Sequence, residues 1–303
     1  MIDDTRNKKR LGKNGKVLTE ATIGTYETTK MHFEKFQAKQ RRKYELNKID
    51  QKLIDAFSDY LNLHLNMAFN ASGKYMKTFR VMMNYARQKK LIGMDTILDN
   101  KVTVTKETPD NIYLTEQEIN GMMNLKGFKT PLYEVVRDYF VIGCKTGLRF
   151  SDYSNLSKAQ IDSEFIRTSQ KKVSERVTVP IHPVVAQIFA KYKDGLPKCP
   201  CNQVFNDYLK DIGKMLPALD KDFEKTLTRS RKSEAKIFKK WQLLQTHTGR
   251  RSFATNEYLA GTPVIAIMAI TGHKTEKSFK SYIKADALQH AMLVRDRWKA
   301  NGK

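Results

Sequence analysis

The sequence predicts a mainly α-helical protein with one small β-hairpin, divided into an N-terminal helical domain and a larger α+β domain. Three observations carry this. Residues 19–89 hold three stretches with apolar side chains at helical spacing, residues 100–113 lose that period, and residues 164–180 alternate with β-rich character before helical patterns resume. A length of 303 residues fits about two domains at roughly 100–200 residues each, enough for each to bury a core.

Residues 1–18 are polar and basic and read as an N-terminal extension. The helical domain spans 19–100. Its first helix carries Ile23, Tyr26, Phe33 and Phe36, its second Leu53, Ala56, Phe57 and Tyr60, with His64 expected at the core edge, and its third Tyr75, Phe79, Met82 and Ala86. Each has one apolar stripe, which is how bundle helices bury themselves. Residues 101–113 form the linker, and 114–303 the larger domain.

That domain opens with Thr115-Glu116-Gln117-Glu118, a capping box. Thr130-Pro131 then caps and opens a helix through Val135, Val136, Tyr139 and Phe140 that stops near Gly147, so Arg149 falls just past a helix end. The hairpin at 164–180 places Lys172 near its tip. Residues 183–191 and 202–216 read as helices, whereas 220–240 is so charged that it reads only as a solvated or DNA-facing loop. A helix over 247–260 ends at Gly261, and Thr262-Pro263 opens another that runs through Ile265, Met268 and Ala269 to Gly272, leaving His273 directly after the stop. Thr275 caps a short helix expected to carry Phe279 and Tyr282 on one face. A last amphipathic segment, 286–299, carries Leu288, Met292, Val294 and Trp298.

Lys and Arg number 55 against 32 Asp and Glu, a formal charge of +23 spread along the whole chain from Lys8-Lys9-Arg10 to Lys239-Lys240. Such a balance predicts a polyanionic partner with a long phosphate footprint. Cys144, Cys199 and Cys201 lack the spacing of a disulfide framework or a zinc site and read as reduced thiols; no metal or other cofactor is expected. Without an apolar run of about 18 residues or a leader pattern, nothing argues for membrane or secretion, and the cytoplasm is the expected location.

The order Arg149, Lys172, His247-x-x-Arg250, Gly272-His273 and Tyr282, the last nine positions after His273, suits attack on a phosphodiester. A tyrosine nucleophile retains the phosphate as a phenol ester, and phenol, with a pKa of about 10, leaves readily enough for the strand to be rejoined without ATP. Two guanidiniums suit the pentacoordinate phosphorane, since each planar fork reaches two oxygens and keeps its proton. Lys172 can protonate the departing 5′ oxygen. His247 and Arg250, three apart on one helix, can face one phosphate, with His247 assisting proton removal from Tyr282 and His273 donating to a phosphate oxygen.

These motifs resemble those of the tyrosine recombinase (phage integrase) family, including integrases of prophages and conjugative transposons, and the resemblance covers nearly the whole chain. TGLRFSD is similar to the first arginine motif, with Asp152 at a supporting acidic position. THTGRRSFAT resembles the HxxR box, with Arg251 a neighbour, and TGHKTEKSFKSYIK the third box. The pattern K-x-x-x-x-V-x-x-P, counted back from Val177 and Pro180, selects Lys172 over Lys171. The resemblance implies a SAM-like core-binding domain followed by the catalytic domain. It further implies a 3′-phosphotyrosyl intermediate on duplex DNA with inverted-repeat core sites, and a tetramer on DNA formed from free monomers, with host bending or excision factors as accessories. The first eighteen residues are too short for the arm-binding domain that many such integrases carry ahead of this; a naturally two-domain enzyme and a shortened chain both stay open. A type IB topoisomerase shares the chemistry, as does a chromosome-dimer-resolving recombinase. Lys74, Lys77, Arg80, Arg87, Arg229 and Arg231 are candidate DNA contacts, with phosphate and base contacts not separable from sequence.

Overall fold

The computed structural model describes residues 1–12, 15–92, 107, 110–170 and 175–300. Two compact units divide the chain: Met1–Pro109 with Thr226–Lys236, and Asp110–Lys225 with Ile237–Lys303.

The first unit begins not with a bare extension but with a short helix, α1 (Ile2–Arg6), whose Thr5 is buried. Tyr85 hydrogen bonds to Asp4, and Arg10 donates to the Tyr26 hydroxyl at 3.0 Å, so the basic opening residues are tied to the helices behind them. Those helices are α2 (Glu20–Lys39), α3 (Gln51–Asp59) and α4 (Phe69–Gln88). Asp50 caps α3 by accepting from the Leu53 N–H at 2.8 Å, and the chain continues from α3 through a π-helical turn, Tyr60–His64. The core is aromatic: Phe33 meets Phe57 edge-on at 5.1 Å, with Phe36 and Phe79 alongside.

Two sequence expectations shift here. The buried stripe of α4 is Met76, Phe79, Met83 and Ala86, while Tyr75 and Met82 lie half-buried beside it. Positions 75 and 82 repeat at the same interval as 76 and 83, so the period alone cannot choose between the two sets. His64 is exposed rather than at the core edge, with Nδ1 2.8 Å from Lys39 Nζ.

The second unit holds α5 (Glu116–Met123), α6 (Pro131–Thr146), α7 (Phe150–Tyr153), β1 (Phe165–Gln170), β2 (Glu175–Pro180), α8 (Pro183–Lys191) and α9 (Asn202–Lys214). They are followed by β3 (Asp222–Arg229), β4 (Lys232–Lys239), α10 (Thr246–Leu259), α11 (Val264–Thr271), α12 (Glu276–Lys280) and α13 (Ala287–Ala300). The core forms around α6, buried from Val136 through Thr146, with α5, α8, α9 and α10 packed on it. Pro131 opens α6 as expected, although Thr130 makes no side-chain cap. The expected capping box of α5 is present, and its Glu118 does more than cap. Buried at 4% exposure, it also accepts from Lys240 at 2.6 Å and pairs with Lys221 at 2.8 Å, which anchors the base of the β3–β4 hairpin. Burial alone would raise its carboxyl pKa, but these two lysines and the cap outweigh it and hold the group below the usual range.

Residues 220–240 are thus two strands rather than a loop. They join at Ser230 and Arg231, both with positive φ (48° and 61°), the conformation of a two-residue hairpin turn. The outer part of this hairpin belongs to the first unit, where the Ser230 hydroxyl lies 2.9 Å from Asn66 Oδ1 and Arg231 pairs with Asp59. The other hairpin pairs β1 and β2 antiparallel, from Phe165↔Pro180 to Gln170↔Glu175. Among the described residues no helix is long and apolar enough to cross a membrane, and the three cysteines are unbridged.

Candidate active site

Two helix ends of the same design shape the site. α6 stops at Gly147 and α11 at Gly272, each in the left-handed conformation with φ +64°. At Gly147 glycine is doubly required, because a Cβ would also meet the Phe253 ring at 2.4 Å. The turn after Gly147 delivers Arg149, half-buried, as the residue preceding α7; the turn after Gly272 delivers His273.

Arg250 lies between these two ends. Only 1% exposed, it donates from Nη1 to the Gly147 carbonyl at 2.7 Å and from Nη2 to the Thr271 carbonyl, so the C-terminal oxygens of two helices orient its fork. Burial first, and the Arg149 charge second, push its pKa down to about 10, which leaves it cationic at neutral pH. His273 is coupled to the same cluster. Its Nε2 is 3.5 Å from Arg250 Nη2 and its Nδ1 2.8 Å from Thr271 Oγ1. Since the Thr271 hydroxyl gives its proton to the Ile267 carbonyl at 2.6 Å, the network assigns the proton to His273 Nδ1 and leaves Nε2 bare. Burial, reinforced by Arg250, Arg149 and His247, pushes the His273 pKa down to about 3.

Tyr282 completes the arrangement. Its hydroxyl is 2.7 Å from His247 Nε2, its ring stands edge-on to His273 at 4.4 Å, and the Arg250 guanidinium lies 5.6 Å from its ring centroid. The expectation that Tyr282 shares a helical face with Phe279 is corrected: α12 ends at Lys280, and Tyr282 sits in the turn that follows. The turn is nonetheless fixed. Tyr282 N–H donates to the Phe279 carbonyl at 2.8 Å, Thr255 Oγ1 donates to the Tyr282 carbonyl at 3.2 Å, and Phe279 is buried against Ala254 and Ile267.

Arg149, His247, Arg250, His273 and Tyr282 therefore all belong to the second unit, and Asp152, 4% exposed, lies on α7 near them, accepting from the Ser151 hydroxyl at 3.2 Å. Lys171 and Lys172 lie outside the described residues. Lys74, Lys77, Arg80, Arg87, Arg229 and Arg231 belong to the first unit; Lys74 and Lys77 are exposed on α4, whereas Arg231 is engaged by Asp59 and Arg229 reaches the Asn66 carbonyl at 3.5 Å. Sequence reasoning missed Thr271, whose main-chain carbonyl accepts from the Arg250 guanidinium, and Thr255, whose hydroxyl holds the main chain of the Tyr282 turn. It also passed over Arg251, which is nearly as buried as Arg250.

The phage integrase SAM-like domain model matches residues 5–102, and the phage integrase family model matches residues 112–289. The chain belongs to the phage integrase family. As a member of that family it is a tyrosine site-specific recombinase, an enzyme of DNA recombination. Solved structures carry the same two-domain fold. Lambda integrase (75–356), a dimer bound to a COC′ core site, aligns with a TM-score of 0.64 and 14% identity over 92% of this chain and 92% of that chain. The Tn1549 transposon integrase (82–397) with circular intermediate DNA gives 0.61 and 14% over 96% and 95%. XerH recombinase bound to a palindromic difH substrate gives 0.65 and 13% over 93% and 80%. A comparison with curated proteins gave no match.

Proposed function

We propose that the protein is an integrase of a mobile element that cuts and rejoins duplex DNA through Tyr282. The observation that carries this reading is the 2.7 Å approach of the Tyr282 hydroxyl to His247, beside a buried, oriented Arg250. In the first step the Tyr282 oxygen attacks the scissile phosphorus, its proton passing to His247. The bond to the 5′ oxygen breaks, and that oxygen takes a proton from Lys172. A 3′-phosphotyrosyl ester results. The 5′ hydroxyl of the partner duplex then attacks the ester and restores the tyrosine, so the number of phosphodiesters is unchanged and no ATP is consumed. Arg149 and Arg250 hold the non-bridging oxygens, where preorganised charge is most effective, with His273 beside them and Asp152 in support.

Phage and transposon integrases among the structural relatives support the mobile-element role, and their DNA-bound states support a duplex partner. We read the sites as inverted-repeat core sequences, bound in the cytoplasm by four protomers that pass through a Holliday junction two strands at a time. Lys74, Lys77 and Arg80 on α4 are our choice of phosphate contacts in the first unit.

A nicked suicide duplex tests the chemistry. Tyr282→Phe should bind it as well as the parent does and yield no covalent complex; covalent product from this variant would remove Tyr282 from its role. Recombinant product from two sites, against supercoil relaxation alone, separates a recombinase from a topoisomerase. Strand junctions mapped in host DNA test the mobile-element assignment.

A further inference from the structure

Arg251 presents a problem that the reaction scheme above does not use. It is 5% exposed, and among the described residues its Nε has no hydrogen-bond partner and its one hydrogen bond is a long one, from Nη2 to Thr248 Oγ1 at 3.4 Å. Among the described residues no carboxylate comes within ion-pair distance. The contrast is Arg137, equally buried, which reaches Asp138 at 2.6 Å and Glu134 at 3.2 Å and also donates to the Met123 and Leu125 carbonyls. An unpaired buried guanidinium lowers stability unless some other state of the molecule supplies its counter-charge.

Its place on α10 identifies that state. His247, Arg251 and Thr255 are spaced four apart and share one ridge of the helix. His247 meets the Tyr282 hydroxyl; Thr255 holds the Tyr282 carbonyl and accepts from the Lys284 N–H at 3.2 Å. Arg251 therefore stands between the two side chains that grip the Tyr282 turn.

We propose that Arg251 is a positioning residue of the strand-transfer site, whose uncompensated charge stabilises the anionic forms of Tyr282 as the phenol gives up its proton and as the phosphodiester forms on it. This rests on Tyr282 being the nucleophile. Electrostatics agree in direction: burial pushes the Arg251 pKa down to about 10, and Tyr282 is the group that opposes the shift. Among the described residues, the other charged or titratable groups of this cluster are Arg149, which precedes α7, Asp152 on α7, His247 and Arg250 on α10, His273 after α11, and Lys284, two residues past Tyr282. Lys284 is itself lowered by burial and then by Arg251, with Asp110 opposing.

The test uses Arg251→Met, which keeps length and removes charge, and Arg251→Lys, which keeps charge. Single-turnover covalent-complex formation is followed on a nicked suicide duplex at saturating protein between pH 6 and 9, beside melting curves and gel shifts. Arg251→Met should melt roughly 2–6 °C higher, because an unpaired buried charge is gone. It should cleave about tenfold or more slowly at pH 7, with its rate profile displaced to higher pH so that the deficit narrows at pH 9. Duplex affinity should stay within about twofold, and Arg251→Lys should keep most of the rate. If Arg251→Met does not fold, Arg251→Gln must show the same displacement. A saturated-cleavage pH profile left at its wild-type position overturns the proposal, whether the variant melts lower, as a structural arginine would, or only binds DNA less tightly, as a phosphate contact would. Tyr282→Phe run in parallel tells the two readings apart: covalent complex from that variant would indict the nucleophile assignment, not Arg251.

Discussion

The hydroxyl of Tyr282 and Nε2 of His247 stand 2.7 Å apart, although they are 35 positions apart in the chain, and two further contacts fix the Tyr282 turn. In the proposed reaction this contact gives the phenol proton a direct route to the imidazole.

His247→Ala should therefore slow covalent-complex formation by about 10²–10⁴-fold with duplex affinity nearly unchanged, since general-base help is lost and the basic surface is not. A gel shift and a single-turnover assay on the same nicked duplex check both halves. Wild-type cleavage by the variant would contradict the role given to His247.

Arg149→Ala and Arg250→Ala should each slow cleavage by an amount equivalent to roughly 2.7–4 kcal/mol, the usual loss when one preorganised donor is removed from a transition state. Stability should separate them. Arg250→Ala strips the Gly147 and Thr271 carbonyls of their buried donor and should lower the melting temperature more than Arg149→Ala does, since Arg149 is only half-buried. Calorimetry on both variants gives the comparison, and equal melting temperatures would count against the clamp.

His273 gives a pH signature. Its folded pKa, about 3, lies below the unfolded value of about 6.5, so the unfolded chain binds the extra proton. The stability it contributes is complete above pH 6.5 and is lost as pH falls from there towards 3. The wild type should lose more stability between pH 7 and 4 than His273→Gln does, as urea titrations at each pH would show; parallel curves would refute the assignment. Bound phosphate should raise this pKa by adding an anion beside the imidazole, visible as a shift of its ¹⁵N resonances.

Gly147→Ala should destabilise the protein, because the left-handed conformation costs roughly 1–2 kcal/mol for a residue with Cβ and the new methyl meets the Phe253 ring at 2.4 Å. Cleavage should fall with it, since the displaced carbonyl is the one that orients Arg250. A melting temperature within a degree of wild type would show that the turn yields without cost.

Much of this was readable in the sequence where chemistry is local. The Thr115–Glu118 capping box and the glycine stops at 147 and 272 each depend on residues close along the chain and appear in the structure as the pattern implied, and His247 and Arg250 share one helix. The phase of α4 was ambiguous because two residue sets repeat at one interval. The β3–β4 hairpin was hidden because β4 is exposed along most of its length, so it shows no apolar alternation, and because Ser230-Arg231 lacks the glycine or asparagine that usually marks such a turn. Thr271 was invisible for a different reason: its contribution to Arg250 is a backbone oxygen, which every residue type has.

That last point bears on how freely such a site can drift. Main-chain oxygens aim the Arg250 fork without cancelling its charge, as an aspartate in their place would, so the full cation remains available to an incoming anion. They also cannot be removed by exchanging a side chain. Substitutions at residues 147 and 271 disturb the aim of the guanidinium only when they move the backbone, although at 271 they also remove the hydroxyl that His273 meets.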